Sequence, residues 1–260
     1  MEELIQYEII EGNIAVLTLH RPKQMNALSS ELLDALNESL ESIKTDDTVR
    51  VVIITGAEEK AFCAGADLKE RRGMNDQETV QAVKRIGHTV NKLDSLSIPT
   101  IAAINGVAFG GGLELALAAD IRLCAEHVKL GLTETSLAII PGAGGTQRLA
   151  RLIGIGQAKK MIFTAEVISS KDALHLGVVE KVTDKDNLIP EAIKMAKQIA
   201  QNGPIAIKQA KAAINHGIET NLHTALEIEH MYYQQTIPTK DRREGLNAFQ
   251  QKRKPIYKGE

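Results

Sequence analysis

Two glutamates between residues 104 and 148 have mainly apolar neighbours in the sequence. Glu114 lies in GGGLELALAADI and Glu134 in GLTETSLAII, and each follows or precedes a glycine-rich segment. Burying a carboxylate costs on the order of several kcal/mol unless something compensates. Two such carboxylates so close together in sequence indicate a use for both, and a carboxyl pair can perform general acid and general base catalysis.

Each feature taken alone also has a structural interpretation, which the sequence leaves open. Glu114 could be a capped carboxylate paired with Arg122 or Arg148, and Glu134 could be an ordinary exposed loop residue. A run of three glycines is often only a tight turn. The segment AFCAGADLKE (61–70) favours the functional interpretation, because its small residues leave backbone N–H groups uncovered by side chains. We therefore predict that the three stretches form one active site.

Composition limits the classes of function. The 260 residues, 43% of them hydrophobic, suit one large domain or one domain with an appendage. A net charge of -2 provides no general attraction for nucleic acid or an anionic membrane. Cys63 and Cys124 form no CxxC pair, the start is unlike a signal peptide, and no apolar run reaches the roughly 18 residues of a membrane span. We expect a soluble cytoplasmic protein.

Common cofactor motifs are absent from the sequence. The seven histidines show no HExxH or other metal spacing, so no metal site is expected. The segment GAGGTQR could begin an anion-binding helix, but it matches neither GxGxxG nor GxxxxGKS.

The spacing of apolar residues predicts a mixed α/β core. Ile14–Leu19 reads as the second arm of a hairpin, followed by an amphipathic helix capped by Ser29 or Ser30. Further strands are predicted at 49–55, 100–104, 121–125 and 128–132, and helices at 76–93, over LELALAADI, and after the glycines at 142–145. Beyond residues 154–156 only helical patterns follow, which predicts an all-helical C-terminal part. We divide the chain into a core domain, 1–195, and a helical region, 196–260.

AFCAGADLKE, NGVAFGGGLELALAADI and GLTETSLAIIPGAGGTQRL resemble the three signature stretches of the crotonase (enoyl-CoA hydratase/isomerase) superfamily, in the same order and spacing. The resemblance extends from HRPKQMNAL to the C-terminus. It implies an α/β fold with a ββα spiral core, a C-terminal helical trimerisation region at 196–260, and a homohexamer built as a dimer of trimers.

The resemblance also assigns roles to residues. Ala66 and Gly111 match the positions whose backbone N–H groups form the oxyanion hole for a thioester carbonyl. Glu114 and Glu134 match the two hydratase glutamates, with Glu114 mainly activating water and Glu134 protonating Cα. Isomerases of the superfamily generally keep one carboxylate, and dehalogenases use an aspartate nucleophile. The resemblance therefore implies an enoyl-CoA hydratase that adds water to a trans-2-enoyl-CoA thioester.

Coenzyme A would arrive as part of the acyl-CoA substrate, so no separate cofactor is expected. The residues that match its binding segments are Lys23, Ala64, Asp67, Leu68 and Lys69, with Phe249 and Lys252 resembling residues donated by a neighbouring subunit.

The preferred acyl group is open at this point. The signature stretches look closest to the methylglutaconyl-CoA hydratase branch, whose acidic acyl group would need a cation such as Arg71, Arg72 or Lys84. Some members of that branch bind RNA through a lysine-rich helix. The corresponding helix here, ELLDALNESLESIK, has four acidic residues and one lysine, so we do not expect nucleic acid as a partner.

Overall fold

Two β-sheets and eleven α-helices are present in residues 3–260, the part of the chain that this computed structural model describes. The strands, in chain order, are β1 (Ile5–Ile10), β2 (Ile14–Leu19), β3 (Val51–Gly56), β4 (Ala61–Cys63), β5 (Thr100–Ile104), β6 (Val107–Phe109), β7 (Ile121–Ala125), β8 (Lys129–Gly131), β9 (Ile168–Ser169) and β10 (Lys181–Thr183). The helices are α1 (Ser30–Thr45), α2 (Leu68–Arg71), α3 (Asp76–Asp94), α4 (Gly111–Leu117), α5 (Gly145–Ile153), α6 (Ile155–Phe163), α7 (Ser170–Leu176), α8 (Leu188–Ala200), α9 (Pro204–Gly217), α10 (Leu222–Thr236) and α11 (Lys240–Gln250).

The larger sheet has the order β1-β2-β3-β5-β7-β10. The strands β1 and β2 form an antiparallel hairpin, and all other pairs in this sheet are parallel. Every residue of β3 and β5 is buried, as expected for parallel strands covered on both faces. Helix α8 packs across β2, β3, β5 and β7.

The smaller sheet has the order β4-β6-β8-β9. Three of its strands, β4, β6 and β8, each follow a strand of the larger sheet along the chain. The chain passes from β3 to β4, from β5 to β6 and from β7 to β8, each time followed by helical structure. This repeat confirms the predicted α/β class and the ββα spiral.

The repeat also explains why three distant stretches meet. Strands β4, β6 and β8 are parallel, so their carboxyl ends lie at the same edge of the sheet. The segments that follow those ends begin at Ala64, Gly110 and Leu132. These are the three signature stretches, and the fold places them side by side.

Most predicted elements are found close to their predicted bounds. The strands predicted at 14–19, 100–104 and 121–125 match β2, β5 and β7, and Ser29 is the cap of α1, accepting a hydrogen bond from the Leu32 amide. The helix predicted over LELALAADI is shorter than expected, because it ends at Leu117 and the chain then enters β7. The three-residue strands β4 and β6 were not predicted.

The prediction of an all-helical part after residues 154–156 is wrong. Strand β10 pairs in parallel with β7 and completes the larger sheet, and β9 pairs with β8. These strands are three and two residues long, too short to show a periodic pattern. The predicted boundary at residue 195 falls inside α8, and Arg50 joins the end of that helix to the C-terminal tail by donating to the carbonyls of Ala200 and Tyr257.

In residues 3–260 there is no helix that combines the length and apolar character of a membrane span.

Candidate active site

A cleft of about 680 Å³ opens where the three signature stretches meet. Its walls come from the loop after β4, one face of α3, the start of α4 and the segment after β8. The lining residues are Ala64, Gly65, Ala66, Leu68, Arg71, Thr79, Val83, Ile86, Phe109, Gly110, Gly111, Glu114, Thr133, Glu134, Leu137, Ala138, Ile139, Ile140, Gly142 and Ala143. Its size suits a small-molecule site, and the two glutamates are the only acidic residues that line it within the described chain.

The loop after β4 presents a free amide to the cleft. Its backbone is paired with residues 25–28: Ala64 donates to Met25, Leu28 donates to Gly65, and Asp67 donates to Leu28. Ala66 forms the parallel bridge with Leu28, so its own N–H points away from that segment. Within residues 3–260 the Ala66 amide donates no hydrogen bond.

A second free amide comes from the glycine run. Gly110 has a φ of +49° and donates to the Gly131 carbonyl, and Gly111 is the first residue of α4. A first helical residue has no acceptor one turn earlier, so the Gly111 N–H is left without an internal partner. The approach to the other loop is close, because a Cβ built on Gly111 would lie 3.8 Å from the Ala66 nitrogen.

The third glycine of the run is required for packing. A Cβ built on Gly112 would lie 2.0 Å from the Cys63 carbonyl oxygen, which no side chain permits. The glycines therefore bring α4 against the end of β4. The three glycines are therefore more than a tight turn, because they also bring the Gly111 amide close to the Ala66 amide.

Glu114 is buried in the first turn of α4 and is only 2% exposed. Its Oε1 accepts hydrogen bonds from the amides of Ala143 (2.7 Å) and Gly145 (2.8 Å). Burial raises the pKa of Glu114, while the two amide bonds and the nearby charges of Arg148 and Arg71 act to lower it. The carboxylate thus has two donors that favour its charged form.

The ion pairs considered for Glu114 are not formed. Arg122 is buried beside β10 and pairs with Glu180, and Arg148 pairs with Asp94. Glu114 is held by backbone amides instead.

Glu134 begins a 3₁₀ turn, Glu134–Leu137, directly after Thr133. It is half-buried, and its Oε2 is buried without a hydrogen-bond partner in residues 3–260. Burial, followed by the negative charge of Glu114, raises the pKa of Glu134 to about 7. Glu134 is therefore not the exposed loop residue that the structural interpretation assumed. With this pKa, a large fraction of the Glu134 carboxyl groups carry a proton at neutral pH.

The two carboxyl groups flank the amide region of the cleft. A Cβ built on Gly110 would lie 2.9 Å from Oε1 of Glu134, and one built on Gly145 would lie 3.0 Å from Oε1 of Glu114. The electrostatic effect of Glu114 on the pKa of Glu134 shows that the two groups interact. The pKa of Glu114 is also raised by burial, but two backbone amides oppose that rise. Glu114 thus shares the cleft with Glu134, whose pKa is about 7, next to two free N–H donors. This set of groups can move a proton at each of two positions of a bound molecule.

The other predicted site residues fall into three groups. Ala64 and Leu68 line the cleft with Ala66. Asp67 caps α2 and pairs with Arg21 (3.1 Å), which gives it a structural role at the rim. The remaining predicted residues lie on the surface and do not line the cleft of the single described chain: Lys23, Lys69, Phe249 and Lys252.

Of the three cations proposed for an acidic acyl group, the structure brings only Arg71 into the cleft. Arg72 is exposed outside it, and Lys84 lies on the outer surface of α3 beside Arg85 and His88.

The sequence reasoning missed the amides of Ala143 and Gly145 and the apolar wall formed by Val83, Ile86 and Ile140. The run PGAGG was the available signal for the amides, since it marks exposed backbone at a helix start. Among residues 3–260, no cluster of three or more His, Cys, Asp or Glu side chains has the arrangement of a metal site.

Comparison with known proteins agrees with this arrangement. The family model described as enoyl-CoA hydratase/isomerase matches residues 9–260. A protein of Bacillus subtilis (strain 168) with the same family designation is 53% identical over 259 residues, covering 100% of each chain. The mitochondrial methylglutaconyl-CoA hydratase of Homo sapiens is 48% identical over 251 residues, covering 95% of this chain and 74% of that protein.

A crystal structure gives the same result for the fold. That of an enoyl-CoA hydratase from Bacillus anthracis has a TM-score of 0.98 and 52% identity to this chain, covering 99% of this chain and 100% of that one. The fold, the three meeting segments and these matches establish that the chain belongs to the enoyl-CoA hydratase/isomerase family of the crotonase superfamily.

Proposed function

We propose that this protein is an enoyl-CoA hydratase, which reversibly adds water to a trans-2-enoyl-CoA thioester to give a 3-hydroxyacyl-CoA. One observation carries the proposal: two carboxyl groups line one cleft beside two free amides, and they differ in their donors, since Glu114 has two amide donors and Glu134 has an unpartnered oxygen. An isomerase needs only one carboxyl group to move a proton between carbons, whereas adding water needs a group for each end of the water molecule.

The free amides of Ala66 and Gly111 would hold the thioester carbonyl. Attack on the double bond shifts electron density to that oxygen, and fixed N–H donors stabilise the charge without rearranging. Loss of one such donor costs about 10²–10³ in rate in other enzymes. The backbone pairing of residues 64–67 with 25–28 supports this role, because it keeps the Ala66 amide in place before substrate binds.

Glu114 would take a proton from water as the water oxygen bonds to C3, and Glu134 would give its proton to C2. The product then carries the hydroxyl at C3 and the new hydrogen at C2, and the proton count of the pair is unchanged. The surroundings support this division, since two backbone amides donate to Glu114 and favour its charged form, whereas Glu134 has an unpartnered oxygen and a pKa of about 7. The two groups titrate as a coupled pair.

The acyl end of the cleft suggests two substrate classes. Part of the cleft lining is apolar, including Val83, Ile86 and Ile140, which suits a short aliphatic enoyl chain. Arg71 favours a second candidate, 3-methylglutaconyl-CoA, because it lines the cleft and has no hydrogen bond or ion pair from its side chain within residues 3–260. A guanidinium in that position can pair with a terminal carboxylate.

The CoA moiety would lie against Ala64, Asp67 and Leu68, with surface lysines meeting its phosphates. Lys23 and Lys69 are both exposed near that segment and are free to do so. CoA enters with the substrate, so the proposal includes no resident cofactor.

Phe249 and Lys252 would reach a cleft only in an oligomer. Phe249 is 87% exposed at the end of α11, and helices α9 and α10 also present large apolar side chains to solvent, including Ile214, Leu222 and Leu226. Exposed apolar surface of this extent is typical of an interface. We keep the dimer of trimers as part of the proposal. It would be contradicted if light scattering finds a monomer under conditions in which the protein is fully active.

An RNA-binding role receives little support. The outward carboxylates of α1 include Asp34 and Glu41, which pair with Arg85 and Lys92 of α3. This arrangement neutralises the cations that phosphates would need.

The test is a substrate panel of crotonyl-CoA, a longer enoyl-CoA, 3-methylcrotonyl-CoA and 3-methylglutaconyl-CoA, followed by loss of the conjugated thioester absorbance. We expect hydration of at least one of them, and no turnover of any would contradict the proposal. Arg71→Gln measures the second candidate: it should lower kcat/KM for 3-methylglutaconyl-CoA by about tenfold or more relative to crotonyl-CoA, as expected for a lost charged hydrogen bond. Arg72→Gln, next along the chain but outside the cleft, is the matched control.

A further inference from the structure

We infer that Arg148 is a positioning residue for Glu114: its guanidinium fixes the loop whose amides bind the Glu114 carboxylate and places a positive charge behind that loop. The inference rests on the proposed function, in which Glu114 must be ionised to accept a proton from water.

The contacts of Arg148 connect three segments. Nη1 donates to the Ala143 carbonyl (3.2 Å), while Nη2 donates to Oδ1 of Asn91 (2.8 Å) and Oδ2 of Asp94 (3.2 Å). Ala143 is the residue whose amide donates to Glu114. The side chain therefore ties the loop that holds Glu114 to the C-terminal end of α3, which also supplies a wall of the cleft.

The loop is shaped to admit this guanidinium. Gly144 has a φ of +104°, and a Cβ built there would lie 2.1 Å from Nη1 of Arg148. The positive φ disfavours a side chain at Gly144, and a Cβ there would also displace the Arg148 guanidinium. Gly144 also accepts the Arg148 amide at 2.8 Å, so backbone and side chain of Arg148 hold the same turn.

The charges around Glu114 come from four elements. Arg148 on α5 and Arg71 on α2 are positive, Glu134 on the 3₁₀ turn is negative, and Asp94 on α3 pairs with Arg148. Burial raises the pKa of Glu114, and Arg148 opposes that rise. Removing the Arg148 charge should therefore raise the pKa of Glu114 further. Removing the Asp94 charge should do the opposite, because the guanidinium is then less neutralised.

The shifts expected for the pKa of Glu114 are opposite in the two variants, whereas a variant that only destabilises the structure would not give shifts of opposite sign. We would measure kcat/KM for hydration against pH for Arg148→Gln, Arg148→Lys and Asp94→Asn. Arg151→Gln is the matched control, because Arg151 is on the same helix but is exposed and pairs with Glu219. The acid limb of the profile reports ionisation of Glu114 in the free enzyme.

Arg148→Gln should move the acid limb to higher pH, because loss of a nearby positive charge raises the pKa of a carboxyl group. At pH values on the acid side of the profile, kcat/KM should fall by about threefold or more. Arg148→Lys should show a smaller shift, Asp94→Asn a shift to lower pH, and Arg151→Gln none. An unmoved limb in Arg148→Gln, or a shift to higher pH in both Arg148→Gln and Asp94→Asn, would overturn the inference. If Arg148→Gln does not fold, Asp94→Asn decides alone. An acid limb shifted to lower pH supports the inference, and an acid limb that is unmoved or shifted to higher pH overturns it.

Glu114→Gln, measured in parallel, separates this inference from the proposed function. Wild-type activity in that variant would remove the proposed role of Glu114 itself. An inactive Glu114→Gln together with an unmoved limb in Arg148→Gln would reject only the role of Arg148.

Discussion

Glu114 and Glu134 share one cleft but have opposite surroundings. Glu114 is the more deeply buried, yet two backbone amides donate to it. Glu134 is less buried, but one of its oxygens has no donor, and its pKa is raised to about 7. Burial is the largest cause of a raised pKa at both groups, and the difference between them shows that backbone donors oppose this effect at Glu114. Two identical side chains thereby become suited to different proton transfers.

The largest effects should come from neutralising either carboxyl group. Glu114→Gln and Glu134→Gln should each lower kcat for hydration by about 10²–10⁴, the usual contribution of an acid or base. The double variant should be little slower than the worse single variant, because residues that act as a unit are not additive. Glu126→Gln is the control, since Glu126 is exposed on the neighbouring turn. If the double variant is slower by the product of the two single effects, the two groups do not act on one water molecule.

The glycine next to each carboxyl group allows a subtler test of the comparison. In Gly145→Ala, the new Cβ would lie 3.0 Å from Oε1 of Glu114, and in Gly110→Ala it would lie 2.9 Å from Oε1 of Glu134. Displacing either group should reduce kcat by roughly tenfold to 10²-fold, as small misplacements do in enzymes. Gly156→Ala in α6, where no atom lies within 4 Å of the new Cβ, should retain full activity. A fully active Gly145→Ala would contradict the role of the amide-bound geometry.

The smallest effect concerns stability. The pKa of Glu134 is about 7 in the folded chain, against an ordinary value of 4.5. Between these values the unfolded chain releases a proton that the folded chain keeps, so folding stability falls as pH rises from about 4.5 to about 7. Glu134→Gln should therefore raise Tm more at about pH 8 than at about pH 5. After allowance for partial exposure, the gain at the higher pH is about 1 to 2 kcal/mol.

Thermal denaturation of Glu134→Gln and Glu126→Gln at the two pH values checks this. The control should show no pH-dependent gain. An equal gain for Glu134→Gln at both pH values would mean that the Glu134 carboxyl group is not held in an unfavourable site.

The sequence predicted the elements with strong periodic patterns. Buried strands such as β5 and the long helices α1 and α3 were found near their predicted bounds, because their apolar spacing reflects burial directly. The meeting of Glu114 and Glu134 in one cleft was also anticipated, first from the two carboxylates beside glycine-rich turns and then from the resemblance of the motifs. Strands β4, β6 and β10 were missed, because three residues held by pairing with distant segments carry no local signal.

The details that distinguish the two glutamates were not predictable from sequence. The bonds from Ala143 and Gly145 to Glu114 join residues about thirty positions apart, through a turn whose shape depends on Gly144 and Arg148. Selection of Arg71 over Arg72 likewise depends on which side of the short helix α2 faces the cleft. Such facts arise from tertiary packing, which a single sequence does not encode locally.

The pH dependence of kcat/KM for crotonyl-CoA hydration tests the central claim most directly. In the proposed mechanism hydration needs Glu114 ionised and Glu134 protonated, so the active pair would hold one proton. We predict a bell-shaped profile that falls above about pH 7, by about tenfold per pH unit, because the pKa of Glu134 is about 7. The residual activity of Glu134→Gln should lack this alkaline limb. A level kcat/KM from about pH 6 to about pH 9 in the unmodified protein would contradict the account.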